Sequence, residues 1–288
     1  MSRIAIPNKG RLSEQTLELL EKAGLKAEFR AERALVARLG DDFQAIFVRA
    51  QDIPEFVADG AADLGVTGSD LVAEVNRPEV TELLDLGFGR CRLVVAVKEE
   101  SAVQAPGELE AGTRVATSFP GSTARYFSEL GVDIRIVPVS GAAEIAPHLG
   151  VADVIVDLSS TGSTLRVNGL REVGTILHSS ARLLANSSSL ADPDTERKAR
   201  ELSQAMESVL RAAKKRYLMA NVPRDRLDEV REVLPGISGP TIVDVLDKGK
   251  WVAAHAVVDA HAVYQTIARL KELGAEGILV TPIERLMP

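Results

Sequence analysis

The chain reads as an α/β protein, built from two mixed lobes and a smaller ferredoxin-like module. Three observations predict this. Short apolar runs alternate with amphipathic stretches through the first two thirds of the chain. The theme restarts near residue 92. Beyond a charged, Ala-rich helix the order becomes strand, helix, strand, strand, helix, strand, which is the split βαβ arrangement.

Each element has its own signal. SRIAI, residues 2–6, is a strand broken by Pro7-Asn8-Lys9-Gly10-Arg11. Ser13 is expected to cap a helix whose Leu17, Leu20 and Leu25 recur at roughly helical spacing and which stops at Gly24. QAIFVRA is a strand, and Asp52-Ile53-Pro54 opens a helix with an N-cap and a first-turn proline. ADLGVTGSDLVAEV repeats the plan: strand, turn at Thr67-Gly68-Ser69, helix from Asp70. CRLVVAVKEE, TRVATSFPGSTARYFSELG, DIRIVPVSG and ADVIVDLSSTGSTLRVNG supply a second set, and LREVGTILHSSARLLAN reads as a strand returning to the first lobe. After DTERKARELSQAMESVLRAAKKR come YLMANVP, RDRLDEVREVLP, TIVDVLD, WVAAHAVVD, HAVYQTIARLKELG and GILVTPIERL. The expected domains are residues 1–92 with 178–208, residues 93–177, and residues 209–288. Two α/β lobes leave a cleft, because ligands collect at the carboxyl ends of parallel strands.

Composition narrows the function. Apolar residues make up 45% of the chain and charged residues 26%, which is globular. Cys91 is the single cysteine, so no internal disulfide forms. MSRIAIPNKG carries no leader pattern and no run reaches bilayer length, so a cytoplasmic protein without a membrane partner is expected. The net charge of −7 argues against nucleic acid as a partner. An anionic ligand must then be caught locally, by backbone amides, helix N-termini and a few placed cations.

Residues 152–165, ADVIVDLSSTGSTL, have the composition for that task. Successive amides in a turn converge on phosphate oxygens where a glycine permits the dihedrals, here Gly162 between Thr161 and Ser163-Thr164. A helix beginning after Thr164 would add its amides and dipole. Asp157, at the strand end, suits the hydroxyls of a sugar. The same residues also read as an ordinary N-capped strand-to-helix turn. No Gly-Lys-[Ser/Thr] follows, so this is not a Walker A loop. His148, His178, His255 and His261 sit singly, with no zinc spacing and no Ser/His/Asp pattern.

Asp157-x-x-Ser160-Thr161-Gly162-x-Thr164 resembles the loop by which phosphoribosyltransferases grip phosphoribosyl pyrophosphate. DLSSTGSTLRVNGLREV is similar to the corresponding segment of ATP phosphoribosyltransferase, the first enzyme of histidine biosynthesis. AIPNKGRLSE, VRAQDIPEFVADGAADLGVTGSDL, DLGFGRCRLVVAV and VATSFPGSTARYF resemble that family's recurring blocks, in order, across nearly the whole chain. The C-terminal unit with LPGISGPTIVDVL resembles the regulatory domain of the family's long form.

The resemblance implies two periplasmic-binding-protein-like lobes and an ACT/PII-like C-terminal domain. It implies magnesium-dependent condensation of ATP with phosphoribosyl pyrophosphate, histidine as inhibitor, and a homo-oligomer, hexamer or dimer. Phosphoribosyl pyrophosphate is expected at Asp157, Ser159, Ser160, Thr161, Gly162, Ser163 and Thr164. ATP is expected at Gly10, Arg11, Thr67, Gly68 and Asp70, with Lys9, Arg49 and Asp157 catalytic and the magnesium ligands unassigned. Bland readings stand beside these: a solvated turn for Lys9 and Arg11, an ion pair with Asp52 for Arg49, and simple N-capping for Asp70. Ser238, Pro240 and Thr241 match the effector segment, with Asn221 a further candidate, although YLMANVPRD is shorter and less acidic than some members there. A solute-binding protein and a phosphoribosyltransferase for another base are the alternatives.

Overall fold

The structure is a computed structural model that describes residues 1–29, 34–237, 239–245 and 249–287. The chain divides into two compact units, one of Met1–Glu21 with Leu25–Ser203 and one of Lys22–Gly24 with Gln204–Pro288. The division falls inside a helix, a few residues before the expected boundary at 208/209.

The first unit holds both lobes. Lobe I runs β1 (Ser2–Pro7), α1 (Gly10–Lys22), β2 (Ala27–Phe29), β3 (Val36–Leu39), β4 (Phe43–Val48), α2 (Ile53–Ala58), β5 (Leu64–Gly68), α3 (Ser69–Val75) and β6 (Val80–Asp85). Lobe II runs β7 (Cys91–Lys98), β8 (Thr113–Thr117), α4 (Pro120–Glu129), β9 (Ile134–Pro138), β10 (Val154–Ser159), α5 (Ser163–Val167) and β11 (Leu170–Ser179). β12 (Ala181–Asn186) returns to lobe I, and α6 (Pro193–Ala213) follows. Lobe I is a seven-stranded sheet, β2-β3-β4-β1-β5-β12-β6, and lobe II a five-stranded one, β11-β7-β10-β8-β9.

Parallel strands covered on both faces read as unbroken apolar runs, and β5 is buried at all five positions. Ile4, Ile6, Leu20 and Leu64 anchor lobe I with no exposed surface. In lobe II one core lies around Leu93, Val95, Val115, Phe127 and Val156, on one sheet face, and another around Val94, Ala96, Ile155 and Leu165 on the other. Burying two faces of one sheet is what makes VIV in β10 uniformly apolar.

Three expectations need correction. α1 begins at Gly10, three residues before Ser13, which is buried inside the helix; Gly10 at φ +79° turns the chain directly out of β1. LREVGTILHSSARLLAN is two strands in different sheets: β11 pairs with β7, β12 with β5 and β6. The hairpin β2–β3 and strand β6 carry no clear signal in the sequence, because β2 and β6 are partly exposed edge strands and β3 is only four residues long, so none has an apolar run.

The second unit contains β13 (Lys215–Pro223), α7 (Leu227–Val233), β14 (Thr241–Asp244), β15 (Trp251–Asp259), α8 (Val263–Glu272) and β16 (Glu276–Pro282). Its sheet order is β14-β15-β13-β16, antiparallel throughout. β15 alternates buried and half-buried residues along its whole length, as a sheet covered on one face requires. Leu218, Val222, Val230, Val252, Ala254 and Leu270 form the covered side, so the ferredoxin-like arrangement stands.

Candidate functional site

The loop after β10 turns on a glycine, and the helix expected after Thr164 begins at Ser163. Gly162 adopts φ +73°, a left-handed conformation that costs other residues energy, and α5 begins at the next residue. The first intrahelical bond runs from Arg166 N–H to the Gly162 carbonyl, so the amides before Arg166 lack helical acceptors. The Thr161 hydroxyl lies 2.9 Å from the Ser163 hydroxyl and accepts the Ser163 amide at 3.4 Å. Ser160, Thr161, Ser163 and Thr164 are exposed, whereas Gly162 is buried.

Asp157 and Ser159 sit at the strand end below this loop. The Asp157 carboxylate accepts the Leu158 amide at 2.7 Å. Burial raises its pKa above the usual carboxylate value, the Leu158 bond opposes this, and Glu144 adds to it. Ser159 donates at 2.8 Å to Glu172 on β11, which also pairs with Arg92 at 2.9 Å.

A cavity of about 410 Å³ adjoins the loop where the strands cross between the lobes. Ser160 lines it with Arg90, Arg92, His178, Ser180 and Arg182. Arg182 ties to Asp85 and, at 3.1 Å, to Glu82. A larger hollow of about 650 Å³ opens at the other end of lobe II, lined by Glu108, Glu110 and Asp153; its acidic rim disfavours a polyphosphate.

In lobe I the parallel pairing of β1 with β4 and β5 gathers three strand-end loops on one edge. Lys9, Gly10, Arg11 and Arg49 are exposed there. The contact between Arg49 and Asp52 is made by backbone, Asp52 N–H to Arg49 carbonyl at 3.0 Å. A Cβ on Gly89 would lie 3.4 Å from Leu12, so the start of α1 packs beside the start of β7.

Two of the residues expected to meet ATP are buried and bonded within the protein. Thr67 has no exposed surface and donates to the Ala50 carbonyl at 2.8 Å. Asp70, 5% exposed, accepts the Ser179 hydroxyl, while its own amide donates to that oxygen at 3.0 Å. Burial raises the Asp70 pKa, and the bonds from Ser179 and from its own and Leu71 amides oppose that. Gly68 leaves room for this carboxylate, since a Cβ would stand 2.1 Å from Asp70 Oδ1 and displace it. These residues fasten the start of α3 to the junction of β11 and β12. Burial likewise pushes the Cys91 thiol up, which suits packing better than nucleophilic chemistry.

Arg182 and His178 were not read as site residues. Their strands reach the cavity only through pairing with β6 and β7, which local sequence does not signal.

In the second unit Asn221 and Thr241 are exposed on strands flanking β15, opposite Ala253 and His255 respectively, which puts both on the uncovered face. The Tyr217 hydroxyl meets His255 Nδ1 at 2.9 Å on that face. Ser238 lies outside the described residues.

Comparison with known proteins agrees with these features. Residues 49–208 match the family model described as ATP phosphoribosyltransferase, and residues 212–285 match its C-terminal domain. An ATP phosphoribosyltransferase of Gemmatimonas aurantiaca is 60% identical over 293 residues, covering all of both chains. One from Haloarcula marismortui is 50% identical over 99% of each. The solved ATP phosphoribosyl transferase (HisG:HisZ) complex from Thermotoga maritima is similar over 72% of this chain and 99% of that one, with 31% identity and a TM-score of 0.62. Matched by both family models and by full-length relatives, the chain belongs to the ATP phosphoribosyltransferase family, pentosyltransferases of histidine biosynthesis.

Proposed function

We propose that the protein joins ATP to phosphoribosyl pyrophosphate. The adenine ring nitrogen beside the amino group attacks the anomeric carbon with inversion. The bond from that carbon to the pyrophosphate oxygen breaks, and its electron pair leaves with pyrophosphate. The observation that supports this best is the left-handed Gly162 at the start of α5, in a loop whose Ser160 lines a cavity shared with Arg90, Arg92, Arg182 and Asp85. The amides and hydroxyls of residues 161–164 hold the 5′-phosphate, and Asp157 orients the ribose hydroxyls. Arg49 and Lys9, from lobe I, neutralise the phosphates of the two substrates. Gly10, Arg11 and Gly68 border the ATP side, and Thr67 and Asp70 support them from below.

The nucleophile is neutral and the leaving group is stable once neutralised, so positioning and electrostatics carry the rate. Among the described residues no three His, Cys, Asp or Glu side chains gather as a metal site. The chain therefore suits magnesium held chiefly by substrate phosphates and water, with Asp157 the carboxylate on the loop side. When bound, magnesium would neutralise the departing pyrophosphate.

Histidine is the proposed effector of the second unit, contacted by Asn221 and Thr241, with Ser238 a further candidate. The uncovered sheet face carries Tyr217, Met219, Val243 and Leu279, which fits a homo-oligomer, hexamer or dimer, and the setting is proposed as cytoplasmic. No described helix is long and apolar enough to cross a membrane. Purified protein with ATP, phosphoribosyl pyrophosphate and magnesium should form a new nucleotide absorbance with stoichiometric pyrophosphate. Turnover with another base and none with ATP would overturn the assignment.

A further inference from the structure

Glu172 makes contacts that a surface carboxylate on a strand does not need. Its Oε1 accepts the Ser159 hydroxyl at 2.8 Å and an Arg92 guanidinium N–H at 3.1 Å, while Oε2 lies 2.9 Å from the other Arg92 terminal nitrogen. A Cβ on Gly162 would stand 3.2 Å from the same Oε1. One carboxylate thus bonds the end of β10 and an arginine that lines the cleft cavity, and it stands close beside Gly162. The register of β11 on β7 slips between Glu172 and Gly174, a bulge of the kind that re-aims a side chain beside a site. The Glu172 and Arg92 side chains are 24% and 32% exposed, so the pair is screened less than a surface one.

We propose that Glu172 is a positioning residue for the phosphoribosyl pyrophosphate loop. The bidentate pair sets the plane of the Arg92 guanidinium, whose fork geometry makes its direction matter, and aims it at the cavity. The Ser159 bond ties the same carboxylate to the strand that carries Asp157. A sugar phosphate entering the loop meets an arginine already oriented, so less ordering is left to binding. ATP, bordered by lobe I, gains nothing from this contact. The inference rests on the loop holding phosphoribosyl pyrophosphate, as proposed above.

The test uses the full-length enzyme and four variants: Glu172→Ala, Glu172→Gln, Arg92→Ala and Arg92→Ala/Glu172→Ala. Dissociation constants for phosphoribosyl pyrophosphate without ATP are measured by calorimetry, together with KM for each substrate. Glu172→Ala should weaken phosphoribosyl pyrophosphate about 10-fold or more and leave KM for ATP within about twofold, as lost hydrogen bonds to a charged group imply. Glu172→Gln keeps an acceptor for Ser159 and should recover part of the loss. The double variant should fall short of the sum of its single effects. Unchanged binding in Glu172→Ala overturns the proposal. So does an equal loss for both substrates with no recovery in Glu172→Gln, the signature of general destabilisation. If the wild-type protein itself does not bind phosphoribosyl pyrophosphate, the functional reading fails instead. Should Glu172→Ala not fold, the near-isosteric Glu172→Gln decides, because a selective rise in the sugar-phosphate constant is still required of it.

Discussion

Replacing Gly162 with alanine tests the amide cradle with a single methyl group. At φ +73° an alanine pays about 1–2 kcal/mol for the left-handed conformation. Its Cβ would also meet Glu172 Oε1 at 3.2 Å and Arg166 Nη1 at 3.4 Å, contacts that require those side chains to give by a few tenths of an ångström. The loop can escape by rotating Gly162 out of that conformation, but then the amides entering α5 no longer converge. A loop that escapes must be returned to the left-handed conformation on binding, at about 1–2 kcal/mol, a loss of roughly 5- to 30-fold in phosphoribosyl pyrophosphate affinity; a loop that stays strained loses that energy from stability instead. The flanking residues Thr161 and Ser163 are exposed, which lets the free loop relax, so the melting temperature should barely move. Calorimetric titration and a thermal melt measure the two quantities separately. Gly162→Asn should retain more affinity than Gly162→Ala, because asparagine tolerates this region better. Full affinity in Gly162→Ala at an unchanged melting temperature would refute the cradle.

Other consequences follow from the same structure. Asp157→Asn should lower turnover about 10-fold or more by weakening charged hydrogen bonds to the sugar, seen in steady-state rates; a wild-type rate removes Asp157 from the site. Because burial raises the Asp157 pKa, wild-type turnover should fall on acidification at a pH above the usual carboxylate value of about 3.9, and a pH profile reads this. Gly68→Ala should destabilise the first unit by about 1–3 kcal/mol, since the new methyl would sit 2.1 Å from Asp70 Oδ1 and push that carboxylate off Ser179; thermal unfolding checks it. Bonds from Arg114 hold the Asp153 carboxyl below its ordinary range, so its stabilisation is present above the unfolded value of about 3.9 and lost as pH falls through the folded one. That pair is half exposed, so Asp153→Asn should cost only about 1 kcal/mol at neutral pH and flatten the acid limb of stability in denaturant titrations. Asn221→Ala should weaken histidine inhibition without changing uninhibited turnover, measured by inhibitor titration.

Local sequence determined a good deal of this. Apolar strands ending in glycine and hydroxyl residues marked β1, β5 and β10 because two-sided burial demands unbroken hydrophobic runs. Gly162 was legible for a backbone reason, since a phosphate turn needs dihedrals that glycine alone adopts freely. The element order after residue 214 specified the second unit for the same kind of reason: each strand carries its own period. Tertiary structure decided what depends on pairing between distant segments. Thr67 and Asp70 look like ligands in a strand-end turn, yet the approach of Ser179, 109 residues away from Asp70, turns Asp70 inward. Arg182, His178 and Glu172 join the site only because β11 and β12 fall on opposite sides of a lobe crossing, with a bulge whose position no local pattern announces. Periodicity reports which face of an element is apolar; which polar groups end up facing one another is settled by sheet order and register.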